Sequence, residues 1–282
     1  MRKILFAATF ALFASTQAFA IFGVGAHYIM NTGSLKGDNG LIPLPLGDAD
    51  PHIQDLMKDA NITVTQKSAS GLQGIGFKAW IDLIPVVDIE GTLNVAATRY
   101  NTFLTIPQLK QDENGIPHRD STTINLVYTP DAPYSMIFGE ASPLFGVVNG
   151  DISVTYPFDL PIIRPYIGVG FSYFASIPIV NASFANKMLN KELLDALIPA
   201  DPTDPSNVDP DAAVKIQKAL VKALENESYT TGMGGHIIAG LRIKPPIIPL
   251  AVYANGKYYI GGNTNKQFSQ GLVLEVGGGF AL

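Results

Sequence analysis

The sequence contains no cysteine among its 282 residues. Disulfide scaffolds, thiolate metal sites and cysteine nucleophiles are therefore excluded. Charge is scarce as well, because only 15% of the residues are Asp, Glu, Lys or Arg, whereas an average soluble domain has roughly 25%. Intrinsic disorder is excluded too, since disordered chains combine low hydrophobicity with high charge, and 47% of this chain is hydrophobic.

Long apolar runs and enzyme motifs are also missing. Beyond residue 20 no run approaches the roughly 18 consecutive apolar residues that a membrane-spanning helix needs. The sequence has no G-x-S-x-G, H-E-x-x-H, G-x-x-x-x-G-K-[ST] or C-x-x-C pattern. No two histidines stand at metal-ligand spacing; the four are His27, His52, His118 and His236. We therefore expect no enzyme activity, no metal site and no cofactor.

The N-terminal segment Met1–Ala20 has the features of a secretory signal. Two basic residues are followed by the apolar stretch Ile4–Ala14, and Ala18-Phe19-Ala20 supplies the small-x-small cleavage pattern. We expect cleavage after Ala20, which leaves 17 Lys and Arg against 24 Asp and Glu and a net charge of −7. An acidic chain without a basic patch is not expected to bind nucleic acid.

Apolar and polar residues alternate with the period of a β-strand in eight segments. In the clearest one, Val87–Thr98, odd positions are apolar or glycine, and even positions are acidic, hydroxyl, amide or alanine. The apolar faces carry no charged or hydrogen-bonding side chain except Tyr, while the polar faces are rich in glycine and carry isolated charges. This pattern predicts a barrel that is apolar toward lipid and polar toward a narrow lumen. The other segments are Phe22–Met30, Gly74–Asp82, Val148–Tyr156, Ile167–Tyr173, Met233–Ile243, Val252–Tyr259 and Leu272–Leu282.

The connections between these segments alternate in length. Three are short and contain proline, at 83–86, 157–165 and 244–249, whereas the others lie at about 32–70, 101–142, 177–231 and 261–270. Short periplasmic turns and long outer loops are typical of outer-membrane barrels. We therefore predict an all-β fold over residues 21–282: an eight-stranded antiparallel transmembrane β-barrel with long outer loops carrying short helices. Helices are expected at Asp50–Ala60, at Asn186–Leu197 and from Asp209 onward.

A ten-stranded alternative adds a hairpin made of Thr122–Thr129 and Tyr134–Glu140. We instead place Thr122–Thr129 in a loop outside the membrane.

Aromatic residues near the strand ends predict two girdles at the membrane interfaces. The lower girdle comprises Phe22, Tyr156, Phe158, Tyr166 and Phe280, and the upper one Tyr28, Tyr173, Tyr258 and Phe268.

The final strand carries a terminal pattern formed by Glu275, Gly277, Phe280 and Leu282. It resembles the assembly signal of bacterial outer-membrane barrels, although Phe is the commonest last residue in that family. The chain as a whole resembles the small OmpA, OmpX and OmpW-type barrels, and Pro165–Phe174 is similar to strand segments of that group. The resemblance implies a bacterial outer-membrane location, contact with outer-membrane lipid, and recognition of the last strand by the barrel-insertion machinery.

Charged residues on the lumen faces are the candidate functional set: Lys78, Glu90, Asp151, Lys257 and Glu275. Lys257 and Glu275 fall on adjacent strands at similar depth and are expected to pair. Because an isolated buried charge is costly, we expect all five to join a network of salt bridges and hydrogen bonds. Three further charges are expected near the lower rim, namely Asp82, Asp88 and Arg242.

The function expected from these features is a non-enzymatic envelope role, either membrane integrity or surface contact through the outer loops. One alternative is a narrow channel for small or hydrophobic solutes, with the lumen charges as its gate or binding site. A second alternative is a soluble periplasmic barrel that binds an apolar ligand. Lipid-modifying chemistry at the rim would need a histidine with a serine or glutamate, and only His236 is near an outer strand end.

Overall fold

The structure is a computed structural model that describes residues 22–44, 51–84, 86–127, 142–158, 160, 162–188, 215, 218–219, 222–223, 226–245 and 248–281. The expected signal segment and Leu282 lie outside these residues. None of the helices within the described ranges is long and apolar enough to cross a membrane.

Eight long antiparallel strands close into one barrel. Each strand pairs with the next one along the chain, and the last pairs with the first, so the predicted eight-stranded closure is confirmed. The strands are β1 (Phe22–Leu35), β4 (Ala69–Ile84), β5 (Val87–Arg99), β8 (Leu144–Pro157), β9 (Ile163–Ser176), β10 (Thr230–Ile243), β11 (Leu250–Gly261) and β13 (Leu272–Ala281). A two-residue strand, β12 (Phe268–Ser269), pairs with the outer end of β1.

The two faces of the barrel wall have opposite chemistry. On β5, Leu93 and Val95 point outward and are 52% and 49% exposed, whereas Glu90 and Asn94 point inward and are each 1% exposed. A soluble ligand-binding barrel has the reverse arrangement, so that alternative is wrong. An apolar outside around a charged inside is the arrangement of a transmembrane barrel of the outer-membrane type, and the predicted phase of the strands is confirmed.

Most of the predicted aromatic girdle faces outward, but two of its members do not. Tyr166 and Phe268 are each only 2% exposed and point into the barrel. Tyr166 shares the inward phase of Arg164 on β9, and Phe268 packs inside the outer mouth. The remaining aromatic residues of the two girdles are exposed at the strand ends, where Tyr28 also donates a hydrogen bond to Gln73 Oε1 across the outer surface (2.7 Å).

The connections expected as long loops contain a second, four-stranded sheet, which the sequence reading missed. We call it the outer sheet, and its antiparallel order is β2-β3-β6-β7. Thr122 and Thr123 belong to this sheet, and β5 pairs directly with β8. The ten-stranded barrel is therefore wrong. The second strand of its expected hairpin, Tyr134–Glu140, lies outside the described residues. The strands are β2 (Asp38–Pro43), β3 (Asn61–Gln66), β6 (Thr102–Gln111) and β7 (Pro117–Asn125).

Two short helices accompany the outer sheet. Helix α1 (Pro51–Leu56) lies inside the predicted segment Asp50–Ala60. Helix α2 (Ala182–Met188) begins four residues before the predicted helix at Asn186, and the rest of that prediction lies outside the described residues. The predicted start at Asp209 also lies outside them, although six described residues downstream are helical: Lys215, Lys218, Ala219, Lys222, Ala223 and Asn226.

Helix α2 covers one face of the outer sheet. Phe184 and Ala185 of the helix, with Val180 just before it, pack on buried residues of β2, β3 and β6. Tyr100, which follows β5, accepts a hydrogen bond from the Val180 N–H (3.0 Å), and burial raises the pKa of its phenol to about 12. The helix is therefore fastened to the barrel as well as to the sheet. The strand residues of this small core are Ile42, Ile62, Val64, Leu104 and Ile106, joined by Leu126 just beyond β7.

Candidate functional site

The lower end of the lumen holds a cluster of four charged side chains. Arg164 contacts both Asp82 (2.8 Å) and Asp88 (3.2 Å). Arg242 reaches the same two carboxylates at 3.4 and 3.5 Å. Two guanidinium groups thus share two carboxylates at the lower opening of the barrel. Arg164 was missed because its sequence context, between two prolines, reads as a turn; β9 already begins at Ile163, and Arg164 has the inward phase of that strand.

The next level of charge lies directly above this cluster. Arg242 Nη2 is 2.6 Å from Glu90 Oε1, and Lys78 Nζ is 2.6 Å from Glu90 Oε2. Lys78 also donates to the Tyr166 hydroxyl (3.0 Å) and lies over the Tyr253 ring, 5.0 Å from its centroid. The structure therefore brings together Lys78 and Glu90 of the predicted set and links them to the lower cluster through Arg242.

Uncharged polar side chains connect this level to the one above. The His27 Nδ1 atom lies 3.2 Å from the Tyr253 hydroxyl, and His27 Nε2 donates to Asn94 Oδ1 (2.8 Å). Asn94 Nδ2 in turn donates to Glu275 Oε1 (2.9 Å). The acceptor role of Asn94 Oδ1 places a proton on His27 Nε2. The predicted set contained only Asp, Glu and Lys, and it therefore did not include these bridging residues.

Lys257 is the centre of the upper level. Its Nζ atom lies 2.7 Å from Asp151 Oδ2, 2.8 Å from Glu275 Oε1 and 2.7 Å from Thr92 Oγ1. An ammonium group has three N–H donors, and these three contacts can use all of them. The side chains of Lys257, Asp151 and Glu275 are fully buried, and Asn255 completes the site by donating to Glu275 Oε2 (2.7 Å).

Glycine makes room for these large polar groups. A Cβ atom on Gly170 would collide with the His236 ring, and one on Gly240 would collide with Tyr166. A Cβ on Gly277 would meet the Cβ and Cα atoms of His27. The glycine-rich polar faces of the strands are therefore a packing requirement, because an eight-stranded barrel has space for side chains and little else.

Above the charges, the outer mouth is closed by apolar side chains, which we call the outer plug. Phe145 and Phe268 pack with their ring centroids 5.0 Å apart, and Phe174 packs edge-on against Tyr259 at the same distance. The plug was not predicted, because the inward faces were expected to stay polar along their whole length. It comprises Ile29, Leu35, Leu72, Ala96, Tyr100, Phe145, Val147, Phe174, Ile179, Tyr259, Phe268 and Val273.

His236 lies inside the lumen and away from the lipid-facing rim. Its Nε2 atom is 2.8 Å from Ser153 Oγ, and its Nδ1 atom is 2.7 Å from Ser172 Oγ. The three side chains are at most 2% exposed, so neither serine can meet a lipid substrate. Within the described ranges, no group of three His, Asp or Glu side chains is arranged to hold a metal ion.

The terminal pattern of β13 is split between the two faces of the wall. Glu275 joins the upper charge level, Gly277 packs against His27, and Phe280 is 60% exposed on the lipid-facing surface. Leu282, its last member, lies outside the described residues.

No protein-family model matches the chain, and no curated protein matches it either. Among solved structures, Neisserial surface protein A has 11% identity and a TM-score of 0.42, with 94% of this chain and 100% of that chain covered. The attachment invasion locus protein Ail of Yersinia pestis has 8% identity and a TM-score of 0.35, with 92% and 96% covered. OprG, an outer-membrane protein of Pseudomonas aeruginosa, has 11% identity and a TM-score of 0.30, with 92% and 94% covered. The barrel architecture of this chain is established by its strand pairing and by the exposure of its apolar residues on the outer face.

Proposed function

We propose that the protein is a bacterial outer-membrane barrel with a closed lumen and a non-enzymatic envelope role. In this proposal the barrel anchors the outer sheet at the cell surface, where the sheet makes contacts. The observation that carries the proposal is the series of buried ion pairs across the lower and middle parts of the lumen, with the outer plug above them.

The buried charges favour closure for a physical reason. A conducting pore needs a hydrated path in which ions bind weakly enough to leave. Here Lys78, Glu90 and Lys257 are each at most 2% exposed and are held by partners at 2.6 to 2.8 Å. Opening such a path would separate charges that have already lost their water, which is costly.

The proposal includes the route to the membrane. Residues 1–20 would direct export and be removed after Ala20, and the insertion machinery would recognise the last strand. In the membrane, the exposed apolar residues of the barrel would contact outer-membrane lipid. A surface partner, or a small solute at the outer loops, would meet the outer sheet first.

Planar-bilayer recording of the purified protein tests the closed lumen. We expect no stable single-channel openings from the wild-type chain. Stable openings whose conductance changes in Lys78→Gln or Glu275→Gln would overturn the proposal in favour of a narrow channel. Glu113→Gln is the matched control, because it removes one charge from the exposed turn between β6 and β7 and should leave any recording unchanged.

A further inference from the structure

The outer sheet carries an open polar cleft on the face that α2 leaves uncovered. We propose that this cleft binds a neutral oligosaccharide. The inference depends on the proposed function only in that the outer sheet must stand outside the membrane. The cleft has a volume of about 430 Å³, and its lining residues are Leu41, Asp59, Ala60, Asn61, Thr63, Thr105, Pro107, Arg119, Asp120 and Ser121.

The sheet register explains how the floor of the cleft is built. Leu41, Thr63, Thr105 and Thr123 stand opposite one another on the four successive strands. Residues at neighbouring positions, such as Val64, point to the other face and are buried. The result is a row of hydroxyl groups across the open face, with the Oγ1 atoms of Thr105 and Thr123 hydrogen-bonded at 3.0 Å and Leu41 at one end, 65% exposed.

Asp59 forms one wall of the cleft in an unusual backbone conformation. Its φ is 61°, and it is the one non-glycine residue with a positive φ in the part of the chain that the structure describes. The Asn61 side chain donates to the Asp59 carbonyl oxygen (2.9 Å) and so holds the turn. Asp and Asn tolerate this left-handed region better than other non-glycine residues, so Asp59→Asn removes the charge and keeps the turn.

Arg119 and Asp120 supply the facing wall from β7. One N–H of the Arg119 guanidinium donates to the Lys58 carbonyl oxygen (3.3 Å), and a guanidinium has five such donors, so several remain for a ligand. Asp120 forms an ion pair with Lys110 and accepts a hydrogen bond from the Ser121 N–H (2.7 Å). Arg119 is thus positioned by Lys58 and Asp120 by Lys110, and neither of these lysines lines the cleft.

This mixture of groups favours a neutral ligand with many hydroxyls. An anion would approach Arg119 but would also meet the Asp59 carboxylate, and a cation would meet the guanidinium, while the charge of Asp120 is compensated by Lys110. Sugar hydroxyls both donate and accept, so they can pair with the carboxylate of Asp59, the guanidinium of Arg119 and the hydroxyl of Thr63 alike. The exposed side chain of Leu41 and the ring of Pro107 offer surface for the C–H face of a sugar, and a cleft of this size lies within the usual range of roughly 300–1,000 Å³ for ligand sites.

Titration of the full-length protein in phospholipid nanodiscs tests the inference. The probes are neutral oligosaccharides (maltotriose, lactose and chitobiose), with sialyllactose as the anionic and a glucosamine dimer as the cationic comparison. We expect at least one neutral sugar to bind, and Asp59→Asn and Arg119→Gln each to weaken that binding at least tenfold. Glu113→Gln, on the same hairpin but outside the cleft, should bind as the wild-type protein does.

Three results would overturn the inference: no binding of any neutral probe, a preference for either charged probe, or binding that both cleft variants leave unchanged.

A second experiment uses nanodiscs that contain the producing cell's lipopolysaccharide. If lipopolysaccharide in the nanodisc abolishes binding of the added sugar, the ligand is a sugar of the cell's own surface. If the added sugar still binds, the ligand comes from another source. The cleft residues lie outside the lumen, so the two proposals fail separately. If no sugar binds, the bilayer recording should still show no openings. If stable openings are seen, the closed lumen is contradicted, and sugar binding should be unaffected.

Discussion

Lys257 and Glu275 lie on neighbouring strands, and the 2.8 Å between Nζ and Oε1 joins two side chains with no exposure to solvent. The same ammonium group neutralises Asp151 at 2.7 Å. One cation therefore compensates two buried carboxylates, and its removal would leave both without a counter-charge.

We expect Lys257→Met to destabilise the barrel by about 3–5 kcal/mol, because it leaves buried carboxylates without their counter-charge. Urea unfolding of the protein in lipid vesicles, followed by the gel shift of the folded barrel, measures the change. Adding Asp151→Asn and Glu275→Gln to this variant should recover part of the loss, since no uncompensated charge then remains there.

Lys110→Met is the matched control for this experiment. Lys110 pairs with Asp120 in the outer sheet, where both side chains are exposed, and water compensates exposed charges. Its unfolding midpoint should equal that of the wild-type protein. Equal midpoints for Lys257→Met and Lys110→Met would show that the ion pairs of Lys257 contribute nothing to stability.

The lipid-facing phase of the strands can be tested at Val95. It is 49% exposed on the outer surface of β5 and pairs with Ile75 and Val148 of the neighbouring strands. Val95→Arg should cost about 2–4 kcal/mol if Val95 lies near the middle of the bilayer, measured by the same unfolding assay. Glu113→Arg introduces the same side chain in the exposed turn outside the membrane and should cost nothing measurable, so equal stability of the two variants would contradict the assigned phase.

Alternation along β5 was enough to predict the barrel, because lipid selects Leu93 and Val95 on one face while the lumen accepts Glu90 on the other. The outer sheet follows the same period, with Ile62 and Val64 on its covered face, but nothing in residues 61–66 indicates that they pair with 102–105. That pairing joins distant segments, and local periodicity does not encode it. In a short segment, the alternation of apolar and polar residues is also the same for a strand of a soluble sheet and for a strand that spans a membrane.

The outer plug was missed for a related reason. Where the strands leave the lipid, polarity reverses: on β4, Leu72 points inward into the plug and Gln73 points outward, whereas lower down Lys78 is inward and Phe77 outward. The sequence prediction assigned one apolar face and one polar face to the whole strand, so it could not include this reversal. The depth at which water replaces lipid depends on the assembled barrel, which the sequence of one strand does not reveal.

The terminal pattern of β13 makes a prediction about assembly. Phe280 is exposed to lipid and, across the strand pair, stands opposite Val24. If the insertion machinery recognises this residue, Phe280→Ser should lower the yield of assembled barrel in cells several-fold more than Phe22→Ser does, while the two variants lose similar stability when refolded in vitro. Phe22→Ser is the control, because Phe22 is an exposed aromatic residue at the same end of the neighbouring strand. Equal losses in cells for both variants would indicate general lipid packing in place of recognition.

The last prediction concerns the contact between Tyr100 and the Val180 N–H, which fastens α2 to the barrel. Burial raises the pKa of the Tyr100 phenol from 10.0 to about 12. A group whose pKa is higher in the folded state stabilises that state fully below the unfolded pKa and loses its contribution as pH rises toward the folded pKa. Ionising the phenol within its buried surroundings is therefore costly, so the packing around Tyr100, which includes the Val180 contact, should be constant up to about pH 10 and weaken between about pH 10 and 12.

Because the chain has no cysteine, a Ser183→Cys variant can be labelled at one position on the exposed side of α2. Fluorescence anisotropy of that label reports how firmly the helix is held. We expect it to stay level up to about pH 10 and to fall between about pH 10 and 12, as the phenol loses its proton. Tyr100→Phe in the same labelled background should show lower anisotropy at neutral pH, since the buried Val180 N–H then lacks its acceptor. The step between about pH 10 and 12 should disappear in that variant, and a step of equal size with phenylalanine in place would assign the transition to another group.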